Sequence, residues 1–105
     1  MAERTGERLF EAEVGRLKGE ALLVENASNM VAAEKCFRSA IETSRKQNGK
    51  SWELRATISL ASLLSKQGKR DEARALLSEI YGWFTEGLDT ADLKKARGLR
   101  DKLAV

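Results

Sequence analysis

Histidine and proline are both missing from these 105 residues, and cysteine occurs once. Without histidine there is no imidazole to act as a general base near neutral pH, no Ser-His-Asp or Cys-His arrangement, and no use of the commonest metal ligand. The single Cys36 cannot close an intrachain disulfide, and one thiol without histidine does not make a zinc site. Gly15 and Gly19 do not form a phosphate loop, because the G-x-x-x-x-G-K-[ST] spacing occurs nowhere. No catalytic residue, cofactor or metal is therefore expected, and Cys36, on a helix beside Phe37, reads as a small buried hydrophobe. Long apolar runs are lacking too. Nothing approaches the ~18 residues of a membrane helix, and the N-terminus has no signal-peptide core. The expectation is a cytoplasmic protein in a reducing compartment, without a membrane partner.

Charge of one sign is also scarce. Nineteen basic residues face sixteen acidic ones, leaving a net charge of +3. The most basic stretch, Lys94, Lys95, Arg97, Arg100 and Lys102, has Asp92 and Asp101 set among it. Such interleaving marks a solvated helix face better than a phosphate-binding stripe, so nucleic acid ranks low among partners.

What is present is a composition biased towards helix: Ala, Leu, Glu, Lys and Arg dominate, and 42% of residues are hydrophobic. The length suits one domain with a thin core. Set against itself at an offset of 40, the chain repeats. Val14 falls on Leu54, Ala21 on Ala61, Leu23 on Leu63 and Val24 on Leu64. Ala33 falls on Ala73, Phe37 on Leu77, Ala40 on Ile80 and Ile41 on Tyr81, with no gap between Val14 and Tyr81. A fixed period in the range of ~20–50 residues marks a stacked-repeat architecture.

Each repeat divides into two helices. Phe10, Val14, Leu17, Ala21 and Val24 predict the buried stripe of the first, and Ser28 or Asn29 its successor's cap. The second buries Ala33, Phe37, Ala40 and Ile41 and ends near Asn48-Gly49, read as a left-handed C-cap. In repeat two, Ser51 is the expected N-cap, and Leu54, Ile58, Ala61 and Leu64 the stripe. Gly68 ends that helix. The next, from Arg70 or Asp71, carries Ala73, Leu77, Ile80, Tyr81 and Phe84. A turn near Gly87 and Leu88 leads to Asp89, which forms a capping-box variant with Asp92. A last helix then places Leu93, Ala96, Leu99 and Leu103 inward as a terminal cap. The boundaries are about 8–48 for repeat one, 51–87 for repeat two and 90–104 for the capping helix, within one domain spanning 1–105.

Ala21, Ala33, Phe37 and Ala40, and again Ala61, Gly68, Ala73, Leu77 and Ile80, resemble the tetratricopeptide repeat. The period of 40 exceeds the usual ~34, and the helix-ending proline is missing from both repeats. The resemblance implies an all-α, right-handed superhelical stack of two helix-turn-helix hairpins plus a capping helix. A narrower resemblance rests on Glu53-Leu-Arg-Ala-Thr-Ile-Ser-Leu-Ala-Ser-Leu, Gln67-Gly-Lys-Arg-Asp-Glu-Ala-Arg and, most specifically, Tyr81-Gly-Trp-Phe-Thr-Glu-Gly. These look like the C-terminal end of large bacterial signalling proteins that join an adenylate/guanylate cyclase or transcription-regulator domain to a nucleotide-binding ATPase module and a helical-repeat tail. That likeness implies a non-catalytic regulatory or scaffolding tail, or a purely structural cap of a repeat array. Its partner would be another protein segment, neighbouring repeats of a longer chain, or a second copy. Candidate contact residues are Trp52 and Trp83, since Trp and Tyr are enriched among interface hot spots, with Arg55, Lys66 and Arg74 as a charged rim. Trp83 has two readings, a clamp on the last helix or an aromatic anchor for a partner.

Overall fold

A computed structural model describes residues 2–47, 49–84 and 91–104. Five α-helices make up the described residues, with no strand among them: α1 Ala2–Glu25, α2 Met30–Lys46, α3 Lys50–Lys66, α4 Arg70–Trp83 and α5 Ala91–Ala104. A single 3₁₀ turn, Ala27–Asn29, joins α1 to α2. Consecutive helices pack on one another, and α3 also touches α1 and α5. The odd-numbered helices thus form one layer and the even-numbered ones the other. The molecule measures 44 × 35 × 19 Å, and its short dimension matches two layers of helices each ~10 Å across.

The core follows from helical spacing. On α2, Ala33, Phe37, Ala40, Ile41 and Ser44 are buried, a stripe at steps of three and four. On α4 the stripe is Ala73, Leu77 and Ile80. Helix α3 is buried on nearly every face, from Glu53 and Leu54 to Leu63 and Leu64, with the small polar side chains of Thr57 and Ser59 enclosed among the apolar ones. A helix with that pattern belongs at the centre. Helix α5 buries Leu93, Ala96 and Leu103 and half-buries Leu99, as its sequence predicts. Among the described residues Glu53 is the one buried charge, 2% exposed, and it is held by Arg45 at 2.9 Å and Lys50 at 3.1 Å.

The inward face of α1 differs from the expectation. Val14, Leu17 and Val24 are 47%, 51% and 89% exposed, and Ala21 is exposed as well. The buried positions are instead Ala12 and Gly19, flanked by half-buried Gly15, Arg16, Leu22 and Leu23. Shifted by 41 rather than 40, these six fall on Glu53, Leu60, Ala56, Thr57, Leu63 and Leu64, all buried. Helices α2 and α4 keep the offset of 40, with Ala33 and Ala73 both 0% exposed. The slip has a local cause. Residues 26–29 separate α1 from α2, whereas 67–69 separate α3 from α4, and the additional residue is taken up by the 3₁₀ turn. One residue turns a helix by about 100°, enough to move its apolar stripe away from the partner.

The caps also differ from those read in the sequence. Asn26, not Ser28 or Asn29, caps the turn, accepting from the Ser28 N–H at 2.9 Å. Asn29 instead donates its side-chain amide to the Leu22 carbonyl. Gly49 has φ −92° and stands at the N-cap of α3, so it is not left-handed, and Ser51 lies inside the helix. Gly68 does adopt a positive φ, +81°, which lets the Lys69 N–H reach the Leu64 carbonyl at 2.8 Å and close α3. The side chain of Phe10, Asn48, and the turn and cap at Gly87, Leu88 and Asp89 lie outside the described residues.

Candidate functional site: a charged cleft on three helices

Along α3, Arg55, Ile58, Ser59 and Ser62 recur at steps of three and four and share one face. Ser59 and Ser62 are short, so the middle of this face is a hollow between the flanking helices. Arg16 and Glu20 of α1 reach it from one side, and Asp92 and Lys95 of α5 from the other. The result is a concave cleft of about 260 Å³.

Its charges are paired in a chain that crosses all three helices. Arg16 donates Nε and Nη2 to the two carboxylate oxygens of Glu13, each at 2.8 Å. Its Nη1 donates to Ser59 Oγ at 3.4 Å, and Ser59 Oγ donates to Glu20 Oε2 at 3.2 Å. Arg55 Nε donates to Asp92 Oδ2 at 2.9 Å, while its Nη1 lies 3.6 Å from Glu13. Arg55 therefore ties α3 to both neighbours. The Arg16 hydrogen bond holds the Glu13 carboxyl below its ordinary value; burial opposes this, and the charges of Arg16 and Arg55 reinforce it. The same bond holds the Arg16 guanidinium above its usual range.

Three basic and three acidic side chains meet on a floor that carries the hydroxyls of Ser59 and Ser62. The hollow falls short of the ~300–1,000 Å³ of small-molecule pockets and stands open to solvent. Its ion pairs can be exchanged for charged groups on an incoming chain. Among the described residues no group of three His, Cys, Asp or Glu is placed to hold a metal, and no helix is long and apolar enough to cross a membrane.

The five residues singled out in the sequence do not form one surface. Arg55 lies in the cleft, and Trp52 beside it carries the Arg55 guanidinium 5.5 Å from its ring. Lys66 is ~16 Å beyond Arg55 along α3, and Arg74 lies near the start of α4; both are exposed and neither lines the cleft. Trp83, 57% exposed, stands at the far end of α4, edge-on to Phe84 at 5.2 Å and with Lys50 Nζ 5.3 Å from its ring. Phe84 packs against the core, so of this aromatic pair one faces in and one faces out. Cys36 is half-buried rather than enclosed. Sequence reading missed Glu13, Arg16, Glu20, Ser59, Ser62 and Asp92 as a unit. The available signal was the run of serines at 59, 62 and 65, set at steps of three along α3.

No protein family, curated protein or solved structure matches this chain.

Proposed function

We propose that this chain is a non-catalytic protein-interaction module of tetratricopeptide type that receives a segment of another protein in the α1–α3–α5 cleft. The observation that carries the reading is the cleft itself. A concave, open groove presents Arg16, Arg55 and Lys95 among Glu13, Glu20 and Asp92 on rigid helices. Helical solenoids offer such surfaces to extended or helical segments, and mixed charge sets orientation and selectivity more than raw affinity. By the likeness of Tyr81-Gly-Trp-Phe-Thr-Glu-Gly, the module is a C-terminal regulatory tail of a cytoplasmic bacterial signalling protein that carries a cyclase or transcription-regulator domain and an ATPase. Its stack is read as a right-handed superhelix.

The test is selection of peptides from a random display library on the immobilised chain, followed by affinity measurements on variants. Selected peptides are expected to lose at least tenfold in affinity on Ser62→Trp, which fills the cleft floor, and on Arg55→Glu. They are expected to bind Lys66→Ala as they bind the wild type. Peptides that bind Ser62→Trp undiminished would rule out the cleft as the recognition site.

A second reading, a purely structural cap of a repeat array, is favoured by α5. That helix buries Leu93, Ala96 and Leu103 and turns Lys94, Lys95, Arg97 and Lys102 to solvent, the polar outer face that closes a solenoid.

A further inference from the structure

The α1 stripe that the core does not use is the largest unexplained apolar feature of the described residues. Val14, Leu17, Ala21 and Val24 follow one another at steps of three, four and three, the spacing of a coiled-coil seam rather than of scattered surface residues. The stripe lies opposite the Ala12–Gly15–Gly19 face that packs on α2, so it points away from the body of the protein. Val31, at the start of α2, is 69% exposed as well. A continuous apolar strip of this kind marks an interaction site.

We infer that α1 is a homodimerisation helix, and that its occupant is α1 of a second copy running antiparallel. The charges beside the stripe support this choice. Glu11 and Lys18 occupy the same flank, both exposed, and neither has an ion-pair partner among the described residues. If Val14 of one copy lies opposite Leu17 of the other, the two-fold axis brings Glu11 within two residues, about 3 Å along the axis, of the partner's Lys18 on the same flank, within reach of a long side chain, and repeats the pair on the other side. Self-pairing thus satisfies both charges with one contact used twice, as an isologous interface requires. The opposite flank does not resist it, because Glu13 and Glu20 are already neutralised by Arg16 and Arg55. Because the same stripe serves on both copies, the contact is isologous and closes as a dimer instead of propagating as a filament. This interface borders the cleft along Glu13 and Glu20 but uses none of its floor, so the inference does not rest on the cleft being a binding site.

Sedimentation equilibrium of the 105-residue chain over a range of concentrations tests the proposal. The wild type is expected to associate to twice its 11.7 kDa. Leu17→Glu is expected to be monomeric, with helix content and thermal midpoint of the monomer unchanged because the residue is half exposed. Lys18→Glu should weaken the dimer by about tenfold, and Glu11→Lys combined with Lys18→Glu should restore it, since the charges are merely exchanged. Ser62→Trp, which blocks the cleft, should leave the dimer intact. A wild type that stays monomeric at millimolar concentration would overturn the inference, as would a dimer indifferent to Leu17→Glu. A double variant no better than Lys18→Glu alone would overturn the antiparallel register.

Discussion

Gly19 lies directly against the ring of Phe37: a β-carbon added there would stand 2.5 Å from Phe37 Cε1 and 2.9 Å from Cδ1. Phe37 is fully buried and has no space into which to retreat. Glycine is at this position so that the α1 backbone can approach a large ring, which is why the α1–α2 hairpin closes as it does. Gly15, one turn earlier, has only ordinary contacts, the nearest at 3.8 Å.

The two glycines therefore predict opposite outcomes. Gly19→Ala is expected to destabilise the protein by about 1–2 kcal/mol, the overpacking cost less the helix propensity gained. Gly15→Ala is expected to stabilise it by about 0.5–1 kcal/mol, because only the propensity term acts. Urea unfolding followed by circular dichroism decides it. Equal shifts of the two midpoints would mean that the Phe37 ring does not rest on Gly19.

A second pair separates the two registers. Ala21 and Ala61 are equivalent at an offset of 40, yet Ala21 is exposed and Ala61 is 0% exposed. Ala61→Leu should cost ~1–3 kcal/mol by overpacking the helix at the centre of the core. Ala21→Leu should change stability by less than ~0.5 kcal/mol. Ala33→Leu and Ala73→Leu, both at fully buried sites, belong with Ala61. Thermal melts showing a comparable loss for Ala21→Leu would restore the uninterrupted repeat.

Acid sensitivity should trace in part to Glu13. Its carboxyl is held below the ordinary value of 4.5, first by the Arg16 hydrogen bond, against burial, and then by the charges of Arg16 and Arg55. A group whose folded pKa lies below its unfolded one adds stability that is fully present above the unfolded value and disappears as pH falls through the folded value. The wild type should thus exceed Glu13→Gln in urea midpoint at pH 7. The gap should narrow from about pH 4.5 downward. A gap independent of pH would show that the charge of Glu13 contributes nothing.

Trp83 is the remaining aromatic question, and its exposure answers half of it. Trp83→Ala removes an edge contact to Phe84 and a cation–π contact to Lys50 but little burial, so its cost should not exceed ~1 kcal/mol. Its emission should be red-shifted and readily quenched by iodide, in contrast to half-buried Trp52. Comparing quenching in Trp52→Phe and Trp83→Phe single variants separates the two signals. Protection of Trp83 in the isolated monomer would put it in the core.

How much of this was legible beforehand depends on what each inference rested upon. The helices, the α2 and α4 stripes, the left-handed Gly68 and the inward face of α5 are local: each depends on residues within two or three turns, and the sequence holds all of them. Which side of α1 faces inward is not local. Val14, Leu17, Ala21 and Val24 make a better apolar stripe than Ala12, Gly15 and Gly19, and amphipathicity alone selects the wrong one. Phe37 decides the matter, because a buried ring needs a surface without β-carbons, and the extra residue before α2 allows α1 to turn and supply it. The cleft has the same origin. Arg16, Arg55 and Asp92 lie far apart in the chain and look like ordinary surface charges until packing sets α1, α3 and α5 side by side. The sequence by itself determined five helices, their order and most of their buried faces, since periodicity and turn chemistry act over short range. Tertiary structure decided the rotation of α1, the exposed seam and the charged cleft, because steric fit and ion pairing act between segments that the sequence leaves unconnected.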